Sequence, residues 1–204
     1  MPTPKQIDEI ARIHEAYVEK VAPLVDDLEY AQGYDASPLY NEVRAIMGHL
    51  SRCYLKKPHR VSEEIRKAIG HLDRLTLDTY KVYALYFTEI ESEYESRYRM
   101  VDLSKIDNHA FYETYFNLSY QGKMYLLEAR KQESVDKKAA LQAYEKMYVH
   151  YHKMMDYLFQ HESDMRIQKW KYMAGRFLVI LGMLLSTSLA AFLGSIILSY
   201  ITCK

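Results

Sequence analysis

Two eleven-residue stretches hold the residue types that could do chemistry. EVRAIMGHLSR, from Glu42 to Arg52, aligns without gaps on EIRKAIGHLDR, from Glu64 to Arg74, at a shift of 22 residues. Glu, Arg, Gly, His, Leu and Arg are identical between the copies. Each copy contains the pattern R-x-x-x-x-H, as Arg44 with His49 and Arg66 with His71. Imidazole serves general acid–base catalysis, and a guanidinium stabilises developing negative charge. The surroundings are basic, with eight Lys and Arg against four acidic residues between Tyr40 and Arg74. Residues five apart on a helix lie about 140° around its axis, so Arg and His of one copy need not face one pocket. The alternative is structural: Gly48 and Gly70 permit close helix contact, and both histidines pack between helices.

The elements that must position these residues are helices. Glycine and proline are scarce, and apolar residues recur at helical spacing almost throughout. Thr3, Pro4 and Gln6 form a capping box, and the stripe Ile7, Ile10, His14, Tyr17, Val21, Leu24 and Leu28 predicts a helix kinked at Pro23, with His14 packed in the core. The segment AQGYDASP ends it. A second helix runs from about Pro38 to Leu55, and the basic loop KKPHRV leads to a third from Ser62 to about Tyr98. A turn over 101–108 precedes a fourth helix, Ala110 to Gln132. Ser134 caps a fifth, with Asp136 in its first turn, and no breaker stands between Val135 and Met173. The fold class is therefore all-α, a helical bundle. Among the twenty tyrosines, Tyr80, Tyr83, Tyr144, Tyr148 and Tyr151 fall on apolar stripes, where core packing is the commoner use and base stacking the alternative.

The chain ends differently. Phe177 to Ile201 is twenty-five residues without a charge. As a helix it is about 38 Å long, enough for a hydrocarbon core of roughly 30 Å. Arg166, Lys169, Lys171 and Arg176 flank it, with Trp170 and Tyr172 at the position of an interfacial aromatic belt. Only Lys204 follows, so the positive-inside rule predicts a cytoplasmic N-terminal body on a single-pass anchor. The expected organisation is a bundle over 1–164, a basic juxtamembrane collar over 165–176, a transmembrane helix over 177–201 and a far-side tail over 202–204. The N-terminal MPTPKQIDEI is too polar for a signal peptide. Cys53 and Cys203 fall on opposite sides of the expected membrane, so no intrachain disulfide is expected. Gly182, Ser186, Ala190 and Gly194 recur every four residues, and beside them Thr187, Ala191, Ser195 and Ser199. These two ladders predict a helix–helix contact between copies, and with several copies a hydroxyl-lined pore.

Charge narrows the function classes. Lys and Arg balance Asp and Glu at 27 each, but after Asp164 there are five basic residues and no acidic ones. The body is left with 22 against 27, a formal −5, so no extended nucleic-acid surface is expected. His150, His152, Asp156 and His161 crowd one helix, yet His150 and His152 point to nearly opposite faces, so no metal site and no cofactor are expected. Asn117-Leu118-Ser119 matches a glycosylation acceptor on the expected cytoplasmic side.

The doubled R-x-x-x-x-H pattern resembles the motif of HEPN domains, helical bundles found in RNA-cutting toxins and antiviral effectors. The resemblance implies a composite, metal-free site of Arg44, His49, Arg66 and His71. In it, histidine would activate the ribose 2′-hydroxyl or protonate the leaving oxygen, and arginine would stabilise the transferring phosphate. In size, helical body, single span and doubled motif, the chain is similar to small membrane-anchored HEPN-like proteins that accompany RNA-targeting CRISPR effectors and other bacterial antiviral systems. That similarity implies the bacterial inner membrane, lipid as partner, a homo-oligomer, and an RNA-targeting CRISPR effector or its RNA products as further partners. Three functions follow as expectations. The first is a homo-oligomeric membrane effector of antiviral defence that perturbs or permeates the bilayer. The second is a tethered metal-independent ribonuclease, and the third a tail-anchored adaptor.

Overall fold

Thr3 starts the first helix as its spacing predicts. Its Oγ1 accepts the Gln6 N–H at 3.4 Å, Gln6 Oε1 accepts the Thr3 N–H at 2.9 Å, and Pro4 sits in the first turn where no N–H is needed. The computed structural model describes residues 1–33, 35–55 and 60–202, with side chains except at 31, 32, 197 and 199–202. The loop residues Lys56 to His59, together with Cys203, Lys204 and the Ser199 side chain, lie outside the described residues. Among the described residues seven α-helices follow in order: α1 Pro4–Ala16, α2 Ala22–Gln32, α3 Ser37–Leu55, α4 Val61–Tyr98, α5 Phe111–Gln132, α6 Lys137–Gln160 and α7 Glu162–Thr202. No strand occurs among the described residues, so the chain is all-α.

Three local departures from the sequence expectation have physical causes. Between α1 and α2 the residues Tyr17–Val21 form a π turn, in which the Ala22 N–H reaches back to the Tyr17 carbonyl. Pro23 follows immediately and cannot donate a helical hydrogen bond, so the chain absorbs it with one extra residue rather than a simple kink. That residue resets the buried register. Two turns beyond Ile13 would be residue 20 at 3.6 residues per turn, and the extra residue makes it Val21. Ile13, Val21, Val25 and Leu28 are buried, whereas Ile7 and His14 are exposed; His14 is no core residue. At the start of α6 the cap is Asp136, not Ser134, because its Oδ1 accepts the N–H groups of Lys138 and Ala139 at 2.9 and 3.1 Å. The expected unbroken helix beyond Val135 is interrupted once, at His161. Its ring stands edge-on to Phe111 and Tyr157 with centroids 6.0 and 4.7 Å away.

The chain divides into two compact units, Met1–Ser92 with Leu118–Lys153, and Glu93–Asn117 with Met154–Lys204. The first is cored by aromatic rings. Phe87 stacks on Tyr151 at 5.2 Å and on Tyr83 at 5.7 Å, and Tyr148 meets Tyr83 edge-on at 4.8 Å. Their hydroxyls find partners, since Tyr83 donates to Asp27 Oδ2 at 2.6 Å and Tyr144 donates to Glu133. The buried carboxylate of Glu91 accepts from Ser119 and pairs with Lys123 Nζ at 2.8 Å. Ser119 is thereby withdrawn from the glycosylation-like tripeptide. In the second unit Phe111 packs against Tyr94, Tyr115 and Tyr157. Its turn carries three successive left-handed residues, Asp107, Asn108 and His109, with φ of 50°, 51° and 73°. Tyr157 anchors that turn by donating to Asp107 Oδ2 at 2.8 Å.

The last helix is of another kind. Phe177, Leu178, Leu185, Leu189, Phe192 and Leu198 are all exposed, and its most apolar 18-residue window has mean hydropathy 2.2 with 0% buried. Among the described residues α7 is the one helix long and apolar enough to cross a membrane.

Two stability measurements check this packing. A Cβ at buried Gly122 would lie 3.0 Å from the Tyr151 ring, so Gly122→Ala should lower stability by about 1–3 kcal/mol in denaturant unfolding. Burial pushes the phenols of Tyr80 and Tyr151 up to about 12. An unfolded tyrosine loses its proton near 10, so between about pH 10 and 12 the folded chain holds the extra protons. The stability these phenols contribute is complete below pH 10 and lost as pH rises towards 12, by up to about 1 kcal/mol per pH unit for each. Tyr80→Phe should make that decline shallower, and an unchanged slope would show that Tyr80 does not titrate with folding.

Candidate functional site

The repeat folds into one cluster shared by α3 and α4, built on the histidines of its R-x-x-x-x-H pairs but not on their arginines. Within each copy, Glu to His spans seven residues and His to Arg three. Glu, His and the final Arg therefore share one side of their helix. The two helices run antiparallel here, and the copies exchange partners. His49 Nδ1 lies 2.7 Å from Glu64 Oε2, and His71 Nδ1 lies 2.7 Å from Glu42 Oε2. The imidazoles stack on each other between these pairs, centroids 5.1 Å apart and planes at 27°. Arg52 Nε donates to Glu64 Oε2 at 2.9 Å, and Arg74 Nε stands 3.6 Å from Glu42 Oε2. The result is a local two-fold arrangement of two carboxylates, two imidazoles and two guanidinium groups.

Burial makes the halves unequal. The Glu64 side chain is 2% exposed and that of Glu42 26%, so Glu64 is the group that cannot stay charged without its partners. Arg52 Nη2 also lies 2.8 Å from His49 Nδ1. One ring nitrogen cannot donate to Glu64 and accept from Arg52 together. The carboxylate is the better acceptor, so Nδ1–H donates to it and the guanidinium reaches the same oxygen through Nε. Cys53 lies one turn beyond His49, buried, its Sγ 3.4 Å from the His49 carbonyl oxygen. Burial pushes its thiol up, and the Glu64 charge adds to the effect.

Arg44 and Arg66 are elsewhere. Both are exposed, and among the described residues neither has an ion-pair or hydrogen-bond partner. The structure thus brings His49 and His71 together and leaves out the arginines paired with them in sequence. Glu42, Glu64, Arg52 and Arg74 take their place. Their signal was present in the repeat, as identical residues spaced seven and three apart about the histidine. Each Nδ1 lies on a carboxylate, and Arg52 and Arg74 reach towards the same two carboxylates through Nε. The glycines do not mark a close helix contact either. A Cβ at Gly70 would meet nothing within 4 Å, and one at Gly48 only the end of Arg52 at 3.5 Å.

The crowded histidines of α6 and of the turn after it go separate ways. His150 Nδ1–H donates to the Lys146 carbonyl at 2.8 Å, His152 lies against Tyr148 at 5.5 Å, and His161 belongs to the Phe111 cluster. Among the described residues no group of three or more His, Cys, Asp or Glu could hold a metal ion.

On α7 the collar and the small-residue ladders lie on one continuous helix. Lys169 Nζ sits 5.7 Å from the Tyr98 ring centroid, and Arg176 stands 5.9 Å from that of Tyr172. Arg166, Trp170 and Lys171 are exposed. Gly182, Ala190, Ala191 and Gly194 are also exposed, with nothing within 4 Å of a Cβ at either glycine. The hydroxyls bond back along the helix. Ser186 donates to the Met183 carbonyl at 2.8 Å, Thr187 to Leu184 at 2.9 Å and Ser195 to Phe192 at 2.7 Å. Comparison with protein-family models, curated proteins and solved structures finds no match.

Removing Glu64 should test the cluster's role. Glu64→Ala strips two donors of their shared acceptor and should cost about 2–4 kcal/mol in unfolding free energy, and Glu42→Ala clearly less. Arg44→Ala and Arg66→Ala should stay within about 0.5 kcal/mol of the parent chain, as exposed positions do. Equal losses at Glu64 and Arg66 would refute this assignment.

Proposed function

We propose that this chain is a single-pass membrane protein of the bacterial inner membrane, its helical domain on the cytoplasmic side, that acts on the membrane as a homo-oligomeric effector of antiviral defence. The observation that carries the reading is α7, whose apolar half is exposed from Phe177 to Ile196 and preceded by a basic, aromatic collar. Water would penalise such a helix over its full circumference, and a bilayer would not. The similarity to membrane-anchored HEPN-like proteins of CRISPR-associated systems supplies the antiviral setting, with an RNA-targeting effector or its RNA products upstream.

Action at the membrane is favoured over RNA cleavage by the histidine cluster. The motif arginines Arg44 and Arg66 are exposed and outside the cluster, and the arginines that do lie beside His49 and His71, Arg52 and Arg74, share the carboxylates of Glu64 and Glu42. Oligomerisation through Gly182, Ser186, Ala190 and Gly194 with Thr187, Ala191 and Ser195 is favoured by their exposure and small size, which let backbones approach. Because the hydroxyls already donate within the helix, their spare lone pairs are what a neighbouring helix or a pore would meet.

Replacing Gly182, Ala190 and Gly194 together with Leu keeps the helix apolar and removes close approach. The variant should remain in the membrane fraction after alkaline carbonate washing, yet run as a smaller species in detergent and lose membrane permeabilisation. Assembly and activity like those of the parent would reduce α7 to an anchor. RNA cleavage by purified protein in chelator, abolished by His71→Ala, would overturn the preference for a membrane effector.

A further inference from the structure

The face of α1 that the apolar spacing marks for burial is open. Ile7, Ile10 and Val18 line a groove whose other wall is Leu50 and Tyr54 of α3. Ile7, Val18 and Tyr54 are 47, 48 and 54% exposed. The π turn explains why apolar residues remain here. Its extra residue keeps Val21 in register with buried Ile13 and leaves Val18 on the outer side with Ile7 and Ile10. Ile7 to Val18 spans about 16 Å of helix, three turns, which is the footprint of a helix laid in a groove.

Charge selects the occupant. Among the described residues the charged side chains lining the groove are Glu15 and Glu19, one turn apart, and neither has an ion-pair partner. A second copy meeting this face across a two-fold axis would bring its own Glu15 and Glu19 to the same rim. An anionic bilayer would be repelled in the same way. We infer that the groove between α1 and α3 docks an amphipathic helix of a partner protein, its apolar stripe on Ile7, Ile10, Val18, Leu50 and Tyr54 and Lys or Arg beside it facing Glu15 and Glu19. The inference uses the first compact unit alone and does not depend on the membrane reading.

The test uses the full chain in nanodiscs of zwitterionic lipid, with empty nanodiscs subtracted. The probe is a fluorescent synthetic helix of about 16 residues with Leu at i, i+3, i+4 and i+7 and Lys flanking the stripe, alongside a twin in which Glu replaces Lys. Anisotropy should show the Lys helix binding about tenfold tighter than its twin. Val18→Asp should abolish binding. The double variant Glu15→Lys with Glu19→Lys changes only exposed positions and should invert the preference between the twins. Equal binding of both helices, or a preference that survives the charge reversal, would overturn the proposal. So would a smaller oligomer in Val18→Asp, since a second copy would then be what covers the groove.

Discussion

A carboxylate sealed between two helices needs donors at fixed places, and Glu64 imposes that demand on the first compact unit. It lies at the beginning of α4, and its partners His49 and Arg52 lie near the end of α3. Satisfying it sets the antiparallel register of α3 against α4, because sliding either helix by one turn would leave the charge unpaired in a site water hardly reaches. The duplicated sequence then repeats the arrangement at Glu42 and His71, nearer to solvent and less demanding. Stacked imidazoles close the centre. The histidines and arginines of the cluster thus pair with its own two carboxylates across α3 and α4.

The aromatic core depends on that register. Tyr80, Tyr83 and Phe87 on α4 project on the same helix that carries Glu64, and meet Tyr148 and Tyr151 of α6. Rings of this size pack only in a few relative orientations, and the phenol hydroxyls add a need for acceptors such as Asp27 and Glu133. With so much of the interior filled by α4 and α6, α1 contributes one narrow edge through Ile13 and keeps an apolar face outside.

The apolar half of α7 has the length and composition of a membrane-crossing helix. Exposed leucines, isoleucines and phenylalanines over its whole circumference are unfavourable in water and unremarkable in hydrocarbon. Among the described residues, Ser186, Thr187, Ser188 and Ser195 bond to carbonyls three or four residues back, which satisfies their hydroxyls within the helix. Such a helix needs no partner to satisfy its described hydroxyls.

Much of this was legible in order along the chain. Capping at Thr3, the absence of breakers and the uncharged stretch from Phe177 are local properties, and they determined the helices and the membrane-length segment without reference to anything distant. The repeat was legible too, and the 140° between Arg44 and His49 already warned that the two would diverge. Tertiary structure decided the rest. That Glu64 answers His49, and Glu42 answers His71, depends on which helix lies opposite and at what height, which no spacing within one copy records. The buried side of α1 and α2 shifted because Pro23 forces a π turn, so a stripe counted at constant period crossed from the exposed face to the core. The break at His161, whose ring stands edge-on to Phe111 and Tyr157, had no breaker residue to announce it. Helix formation rests on neighbours three and four residues away and can be read from them. Register, burial and pairing rest on contacts tens of residues apart, and those exist only once the helices have packed.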